Sequence, residues 1–262
     1  ANATLTINNV RVGDTTFNYQ IANTGTTGPA LSGAVQTSVN GANLSDARLS
    51  GAGVTAGNYN TGAPGSSTAD LGVTFSAASA GALAPLSGQV LNLRSNFENI
   101  ADQKLNIVLA SSAAAYNAAI GSAGSPVLVA NQRVGGSNTA TVTVSNTAAA
   151  GSFSEDLNVS IGGASGAASG SGSIAGRLAA TSNTGTGAIT ARVDTTSAGA
   201  KTGNLTLDYQ TAGAVAGVSN GLGTASVGNQ VVTVSGDVYR LAQGAATPTP
   251  IVFANRHVDD SA

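Results

Sequence analysis

The sequence predicts an all-β protein, and three features of its 262 residues support that class. Apolar and polar residues alternate in short runs, as they do in strands with one buried face. Glycine is abundant, at 35 residues, and Gly, Asn and Ser separate the runs as turn residues. Helical periodicity is nearly absent, and only residues 95–100 predict a short helical turn. Hydrophobic residues make up 42% of the chain, which is enough for a packed core.

The clearest strand lies at residues 139–144, where threonine and valine alternate. Its period of two places Val142 and Val144 on one face and Thr141 and Thr143 on the other. We expect the valine face to point inward. With no cysteine and no tryptophan in the chain, the remaining core must come from Val, Leu and Ile together with a few aromatic residues. The aromatic residues expected to fill the inter-sheet space are Tyr19, Phe75 and Phe153.

The composition argues against several classes of function. Charged residues are only 8% of the chain, and the 10 Lys and Arg residues are scattered, so no basic patch is available for nucleic acid. The apolar runs are far shorter than the roughly 20 residues of a membrane helix, so no membrane insertion is expected. The absence of cysteine excludes disulfides and thiolate chemistry. With a net charge of only −2, copies of the protein repel each other weakly, which favours self-association into a homopolymer.

The sequence repeats itself. Residues 126–137 align without a gap to residues 250–261, a spacing of 250 − 126 = 124 residues, and Arg11-Val12-Gly13 matches Arg133-Val134-Gly135 at a spacing of 122. Tyr116 and Tyr239 follow the last strand of each unit and are expected at equivalent places, packed into a domain junction. The predicted organisation is therefore a unit at 1–122, a second at 123–246, and a linker with the first strand of a further repeat at 247–262.

About seven short strands per unit of about 120 residues is typical of a two-sheet sandwich of the immunoglobulin type. The predicted fold is thus two tandem immunoglobulin-like β-sandwich domains plus the first strand of a third repeat. The start at Ala1 fits a chain cleaved after a secretory signal, although an internal fragment would look the same.

Several segments together resemble the bacterial choice-of-anchor D proteins, whose repeats look like immunoglobulin-like domains of the ASPM–SPD2–hydin type. The segments are residues 131–135, 153–162, 196–203, 221–223 and 237–242 in the second unit, and 45–51 and 96–102 in the first. The resemblance implies a protein that is secreted or held at the cell surface. It implies no particular activity, because the family is defined by its architecture.

The residues that could support an enzyme are few. His257 is the only histidine, so a catalytic triad or a histidine metal cluster would have to use it. The matching position in the second unit is Arg133, which favours an exposed strand position for His257. The glycine-rich residues 162–172 match no phosphate-binding loop and predict a flexible turn or a loosely paired edge strand. We therefore predict no enzymatic activity and no cofactor.

Calcium binding by carboxylates at domain junctions is an alternative to a chain without any bound group, since carboxylate oxygens are the ligands that calcium prefers. None of the candidates lies in a loop with the aspartate spacing of a calcium site. Whether calcium sits at the junctions is left open by the sequence. The candidates are Asp14, Glu155, Asp156, Asp259 and Asp260.

The end of the chain copies the first strand of a unit. An unpaired apolar strand is a pairing hazard, so this strand is either continued into a third domain, paired at an edge, or donated to a neighbouring copy. Donation would propagate as an open filament, although the first unit already has its own opening strand. The residues of this candidate intersubunit strand are Ile251, Val252, Phe253, Asn255 and Val258.

Two functions follow for a secreted or cell-surface protein with these properties. The first is a non-enzymatic structural protein of the bacterial surface or extracellular matrix that self-assembles into a filament or layer. The alternative is an adhesin or carbohydrate-binding module that recognises a surface glycan. An exposed aromatic cluster on one face would favour the alternative.

Overall fold

The computed structural model of this chain describes residues 2–245, and it is all-β. The candidate intersubunit strand (Ile251, Val252, Phe253, Asn255 and Val258), His257 and the Asp259–Asp260 pair lie outside the described residues. The one helical element within residues 2–245 is a single 3-10 turn, Ala52–Val54. No helix in that part of the chain is long and apolar enough to cross a membrane.

The first sandwich is built from twelve strands, most of them short. The strands are β1 (Ala3–Ile7), β2 (Val10–Arg11), β3 (Gly13–Tyr19), β4 (Ser32–Gln36), β5 (Asn43–Leu44), β6 (Leu49–Ser50), β7 (Gly57–Asn60), β8 (Leu71–Ala77), β9 (Gly81–Ala82), β10 (Gln89–Ser95), β11 (Gln103–Leu109) and β12 (Ala114–Tyr116).

The second sandwich is built from thirteen strands, and it contains the longest strands within residues 2–245. The strands are β13 (Gly121–Ala123), β14 (Val127–Leu128), β15 (Gln132–Arg133), β16 (Ala140–Val142), β17 (Val144–Asn146), β18 (Leu157–Gly166), β19 (Ala168–Gly172), β20 (Ile174–Arg177), β21 (Ile189–Val193), β22 (Gly199–Thr211), β23 (Ala214–Val215), β24 (Val218–Ser219) and β25 (Ala225–Tyr239).

The two sandwiches share one topology. The large sheet of the first has the order β1-β11-β10-β4-β7, and that of the second has the order β14-β25-β22-β18-β20. In both, the opening strand runs parallel to the last strand, while the other neighbours in the order are antiparallel. A three-stranded sheet, β3-β8-β6 or β16-β21-β19, covers the other side of the core. This is the immunoglobulin-like sandwich arrangement.

Each sandwich has its own apolar core. One cluster of buried side chains runs from Ile7 to Ala115 and the other from Ala119 to Val238. The predicted strand faces are confirmed, since Val142 and Val144 are buried while Thr141 and Thr143 are exposed. Two separate cores support a division into two units, although Ala119 and β13 already belong to the second sandwich. The bounds 1–122 and 123–246 remain a prediction.

The glycine-rich residues 162–172 are paired strand rather than a flexible turn. They form the end of β18 and all of β19, and the chain crosses between them from the large sheet to the small one. The neighbouring strand β22 needs glycine where it passes this stretch, because the backbones approach closely: a Cβ on Gly203 would lie 2.3 Å from the Ser165 carbonyl oxygen. Gly166 has a φ of 65°, which L side chains rarely adopt.

Two further expectations are corrected. Residues 95–100 form no helical turn, because β10 extends through Ser95 and a short turn then leads to β11. The side chain of Phe153 does not fill the space between the sheets. It lies at the end of the second sandwich, where it contacts the first.

Candidate functional site: the junction between the sandwiches

The candidate site is the junction where the first sandwich meets the second. On the first sandwich, β2 and β12 run side by side, and Arg11 is the register partner of Tyr116. The Val12 amide donates to the Tyr116 carbonyl at 2.9 Å and continues this pairing past the end of β2. Both side chains therefore project from the same end of the sandwich. We call this end, formed by Asn9, Arg11, Tyr116 and Asn117, the first base.

The second sandwich presents a buried carboxylate to the first base. Glu155 is fully buried, and Arg11 Nε donates to its Oε2 at 2.9 Å. Thr211 Oγ1 donates to the same oxygen, and Asn220 Nδ2 donates to Oε1 at 2.6 Å. A buried carboxylate without donors would be strongly destabilising. Here both oxygens are occupied, and one of the three donors belongs to the other sandwich.

The backbone around Glu155 is held as firmly as its side chain. The Glu155 amide donates to the Asn117 carbonyl at 2.9 Å, and the Asn117 amide donates to the Phe153 carbonyl at 2.8 Å. The Tyr116 and Phe153 rings contact each other with centroids 5.6 Å apart at 56°, an attractive tilted geometry. The segment joining the sandwiches is thus bonded in place. The sequence-based expectation that Tyr116 packs into a junction is confirmed.

Asp156 shapes the loop that closes the junction. Its carboxylate accepts from the amides of Ala216, at 3.1 Å, and Gly217, at 2.8 Å, which lie between β23 and β24. This hairpin leads into the segment that contacts the first base. There Asn9 Nδ2 donates to the Asn220 carbonyl at 2.7 Å. Arg11 Nη2 reaches the carbonyl oxygen of Gly223 at 2.5 Å.

The polar groups of this junction hold the two sandwiches in position relative to each other. The oxygens of Glu155 and Asp156, which the sequence singled out as calcium ligands, accept hydrogen bonds from protein donors. Asp14, the third described candidate, is exposed on β3. Within residues 2–245 no group of three or more His, Cys, Asp or Glu side chains is placed to hold a metal ion.

A second polar cluster ties two loops of the first sandwich. Arg48 binds both oxygens of Asp46, at 2.9 and 2.8 Å, and lies over the Phe75 ring at 5.5 Å. The Ser87 amide adds a bond to Asp46 at 2.9 Å. The hydrogen bond from Arg48, followed by that of the Ser87 amide, holds the Asp46 pKa well below its usual range. Both residues lie in the 45–51 segment that carries the family resemblance, and their role here is structural.

The free end of the first sandwich, opposite the junction, contains a cavity of about 330 Å³ between the sheets. Tyr19 and Tyr59 line it, but their hydroxyls donate to backbone carbonyls, of Gly53 at 2.7 Å and Arg94 at 3.0 Å. Burial raises the pKa of Tyr19 to about 12. Among the nine aromatic side chains of residues 2–245, only Tyr239 is exposed. The described residues therefore form no exposed aromatic cluster.

Comparison with known proteins gives distant structural likenesses. No protein-family model matches the chain, and no curated protein matches it. The solved complex of Dpr2 Ig1–Ig2 with DIP-Theta Ig1–Ig3 aligns to 91% of this chain and 95% of that one, with 12% identity and a TM-score of 0.28. CfaE, the adhesive subunit of the CFA/I fimbria of enterotoxigenic Escherichia coli, aligns to 90% and 97%, with 10% identity and a TM-score of 0.28. The immunoglobulin-like assignment therefore rests on the strand order described above.

Sequence reasoning identified Glu155 and Tyr116 but not the residues that complete the site. Asn9, Thr211 and Asn220 carry no motif, and Arg11 belongs only to the repeated Arg-Val-Gly. The four come together only because two sandwich ends meet. One signal was available, because an adjacent Glu-Asp pair is conspicuous in a chain with 8% charged residues. Burial of such a pair requires donors, and the recurrence of Arg11 at Arg133 pointed to a repeated role for that arginine.

Proposed function

We propose that this protein is a non-enzymatic structural component of the bacterial cell surface or extracellular matrix. In this proposal its sandwiches form a stiff rod, and copies associate into a filament or layer. The observation that carries the proposal is the hydrogen-bonded junction, in which Arg11 of one sandwich reaches the buried Glu155 of the next. A spacer needs such a joint, because a flexible linker would let successive domains move independently.

The joint is short as well as bonded. Tyr116 is the last residue of β12, and the Ala119 amide already donates to Thr211 Oγ1 of the second sandwich at 3.1 Å. Breaking the junction would leave the Glu155 carboxylate without its charged partner, which disfavours the open state. Units of about 1–122 and 123–246 are part of this proposal, as is self-association favoured by the low surface charge.

A secreted or cell-surface location belongs to the same proposal. It draws support from the resemblance of residues 131–135, 153–162 and 45–51 to choice-of-anchor D proteins. A chain without cysteine suits a protein stabilised by sheet pairing and packing rather than by disulfides.

The alternative function is an adhesin or carbohydrate-binding module on the same scaffold. Glycan recognition commonly uses exposed aromatic faces, and Tyr239 alone is exposed among the aromatic residues within 2–245. This observation favours the structural function. A glycan array probed with the purified chain tests the choice, because saturable and selective binding would favour the alternative.

Small-angle scattering and electron microscopy of the purified chain test the structural proposal directly. We expect an elongated particle with one interdomain angle, and larger assemblies as the protein concentration rises. A broad distribution of interdomain angles would contradict the stiff joint. Particles that remain single chains at all concentrations would contradict self-association.

A further inference from the structure

The far end of the second sandwich repeats the first base. Arg133 is the register partner of Tyr239, as Arg11 is of Tyr116. The Val134 amide donates to the Tyr239 carbonyl at 3.0 Å, which matches the 2.9 Å bond from Val12 to Tyr116. Asn131, two residues before Arg133, takes the place of Asn9. We call this end, formed by Asn131, Arg133, Val134, Tyr239, Arg240 and Leu241, the second base.

The two bases differ in what covers them. The first base is docked on the Glu155 end of the second sandwich, and the Arg11 side chain is only 24% exposed. In the second base Tyr239 is 52% exposed and Leu241 is 66% exposed. Arg133 and Arg240 are also exposed. A surface that is buried at one position of a repeat and, within residues 2–245, exposed at the next is a candidate docking surface.

We propose that the second base binds the free end of the first sandwich in a second copy of this chain, head to tail. This inference rests on the proposed self-association and names the surfaces that perform it. The free end is topologically equivalent to the Glu155 end, since it is formed by the segment before β4 and the turn between β10 and β11. The residues of the free end that would form this contact are Phe97, Glu98, Asn99 and Ile100.

Charge and apolar surface match across this contact. The turn between β10 and β11 carries the exposed carboxylate of Glu98 beside Ile100, which is 46% exposed. Both line a cleft of about 800 Å³ together with Phe97 and Pro29. On the second base, Arg133 and Arg240 outnumber the half-buried Asp237, and Leu241 supplies apolar surface. Arg133 facing Glu98 would repeat in an exposed form the pairing of Arg11 with Glu155.

Strand donation explains self-association less well than a contact between sandwich ends. A donated strand needs a vacant place beside the last strand of a sandwich. In the first sandwich β1 occupies that place beside β11, and in the second β14 and β15 occupy it beside β25. Contacts between the ends of sandwiches need no vacancy. They also propagate as an open, head-to-tail filament.

Charge reversal at each end provides the test, using the full chain and sedimentation velocity with light scattering. We expect Arg133→Glu and Glu98→Arg each to weaken self-association about tenfold or more, because like charges then face each other. Arg192→Glu, at an exposed arginine of β21, is the matched control and should leave it unchanged.

Mixing the two variants gives the decisive result. The Glu98→Arg chain retains a normal second base, and the Arg133→Glu chain retains a normal free end. The two substituted surfaces also carry opposite charges when they meet. An equimolar mixture should therefore restore association, with the two variants alternating head to tail. Association in the mixture, with neither variant associating alone, supports the inference.

Three results would overturn it, and they separate it from the proposed function. If the unaltered chain associates and Arg133→Glu behaves like Arg192→Glu, the surface is wrong while self-association stands. If association survives Arg133→Glu but disappears when residues 248–262 are deleted, the contact is a donated strand. If the unaltered chain stays monomeric, both the inference and the proposed self-association fail.

Discussion

Replacing Arg11 with methionine removes the charged partner of Glu155 while keeping an unbranched side chain that matches the apolar stem of arginine. Breaking a buried ion pair from one side typically costs about 3–5 kcal/mol. Here the carboxylate keeps its bonds from Thr211 and Asn220, and the Arg11 side chain is 24% exposed, so water can replace part of the lost bond. We therefore expect the free energy of unfolding to fall by about 2 kcal/mol.

The matched control is Arg133→Met. Arg133 occupies the same register position in the second sandwich, but no buried carboxylate lies against it among the described residues. We expect a change below about 0.5 kcal/mol there, as for most surface substitutions. For a unit of about 120 residues, 2 kcal/mol corresponds to a fall in melting temperature of roughly 6–12 °C.

Differential scanning calorimetry of both variants measures this difference. Scattering at room temperature shows whether Arg11→Met also widens the distribution of interdomain angles. The double variant Arg11→Met with Glu155→Met should recover much of the lost stability, because replacing both partners leaves no buried charge without its partner. If Arg11→Met and Arg133→Met destabilise equally, the junction is not held by the Arg11–Glu155 pair.

Three further predictions concern the core, the pH dependence and the chain end. Phe75→Ala should cost about 3–5 kcal/mol, because the ring is fully buried, while replacing His257 should change the melting temperature little; equal effects would contradict the predicted exposure of His257. Asp46→Asn should cost roughly 1.5–3 kcal/mol at pH 7, since it loses the charge that Arg48 binds. Because the folded-state pKa of Asp46 is lowered, this stabilisation is complete above the unfolded pKa of about 3.9 and is lost as pH falls through the folded value. Urea titrations should therefore show the two proteins converging below about pH 4, and a gap that persists in acid would refute the assignment. Deleting residues 248–262 should leave self-association intact, as measured by light scattering, and its loss would favour the donated strand.

The strand pattern was predictable because it is local. Alternation over residues 139–144 placed Val142 and Val144 inside without knowledge of what covers them. Register constrains such a strand strongly, since a shift of one residue would expose every buried side chain. The glycine-rich residues 162–172 were harder, because their conformation depends on a close approach between Ser165 and Gly203 of β22, which are 38 residues apart by their numbers.

The junction shows where sequence reasoning stops. Glu155 stands out in the sequence for its charge, and a carboxylate whose donors are unknown suggests a calcium ligand. The donors come from three separate places, Arg11, Thr211 and Asn220. None of these residue types is diagnostic alone. Phe153 was assigned to a core for the same reason, since an apolar ring at the end of a sandwich looks no different in sequence.

The sequence by itself determined the all-β class, the repeated unit and the inward faces of the clearest strands. These properties depend on periodicity and on self-similarity, which are visible in one dimension. Only the tertiary structure decided that Arg11 meets Glu155, 144 residues later in the chain. The physical reason is that a contact between two sandwich ends depends on where several strands terminate together in space. No period in the sequence records that.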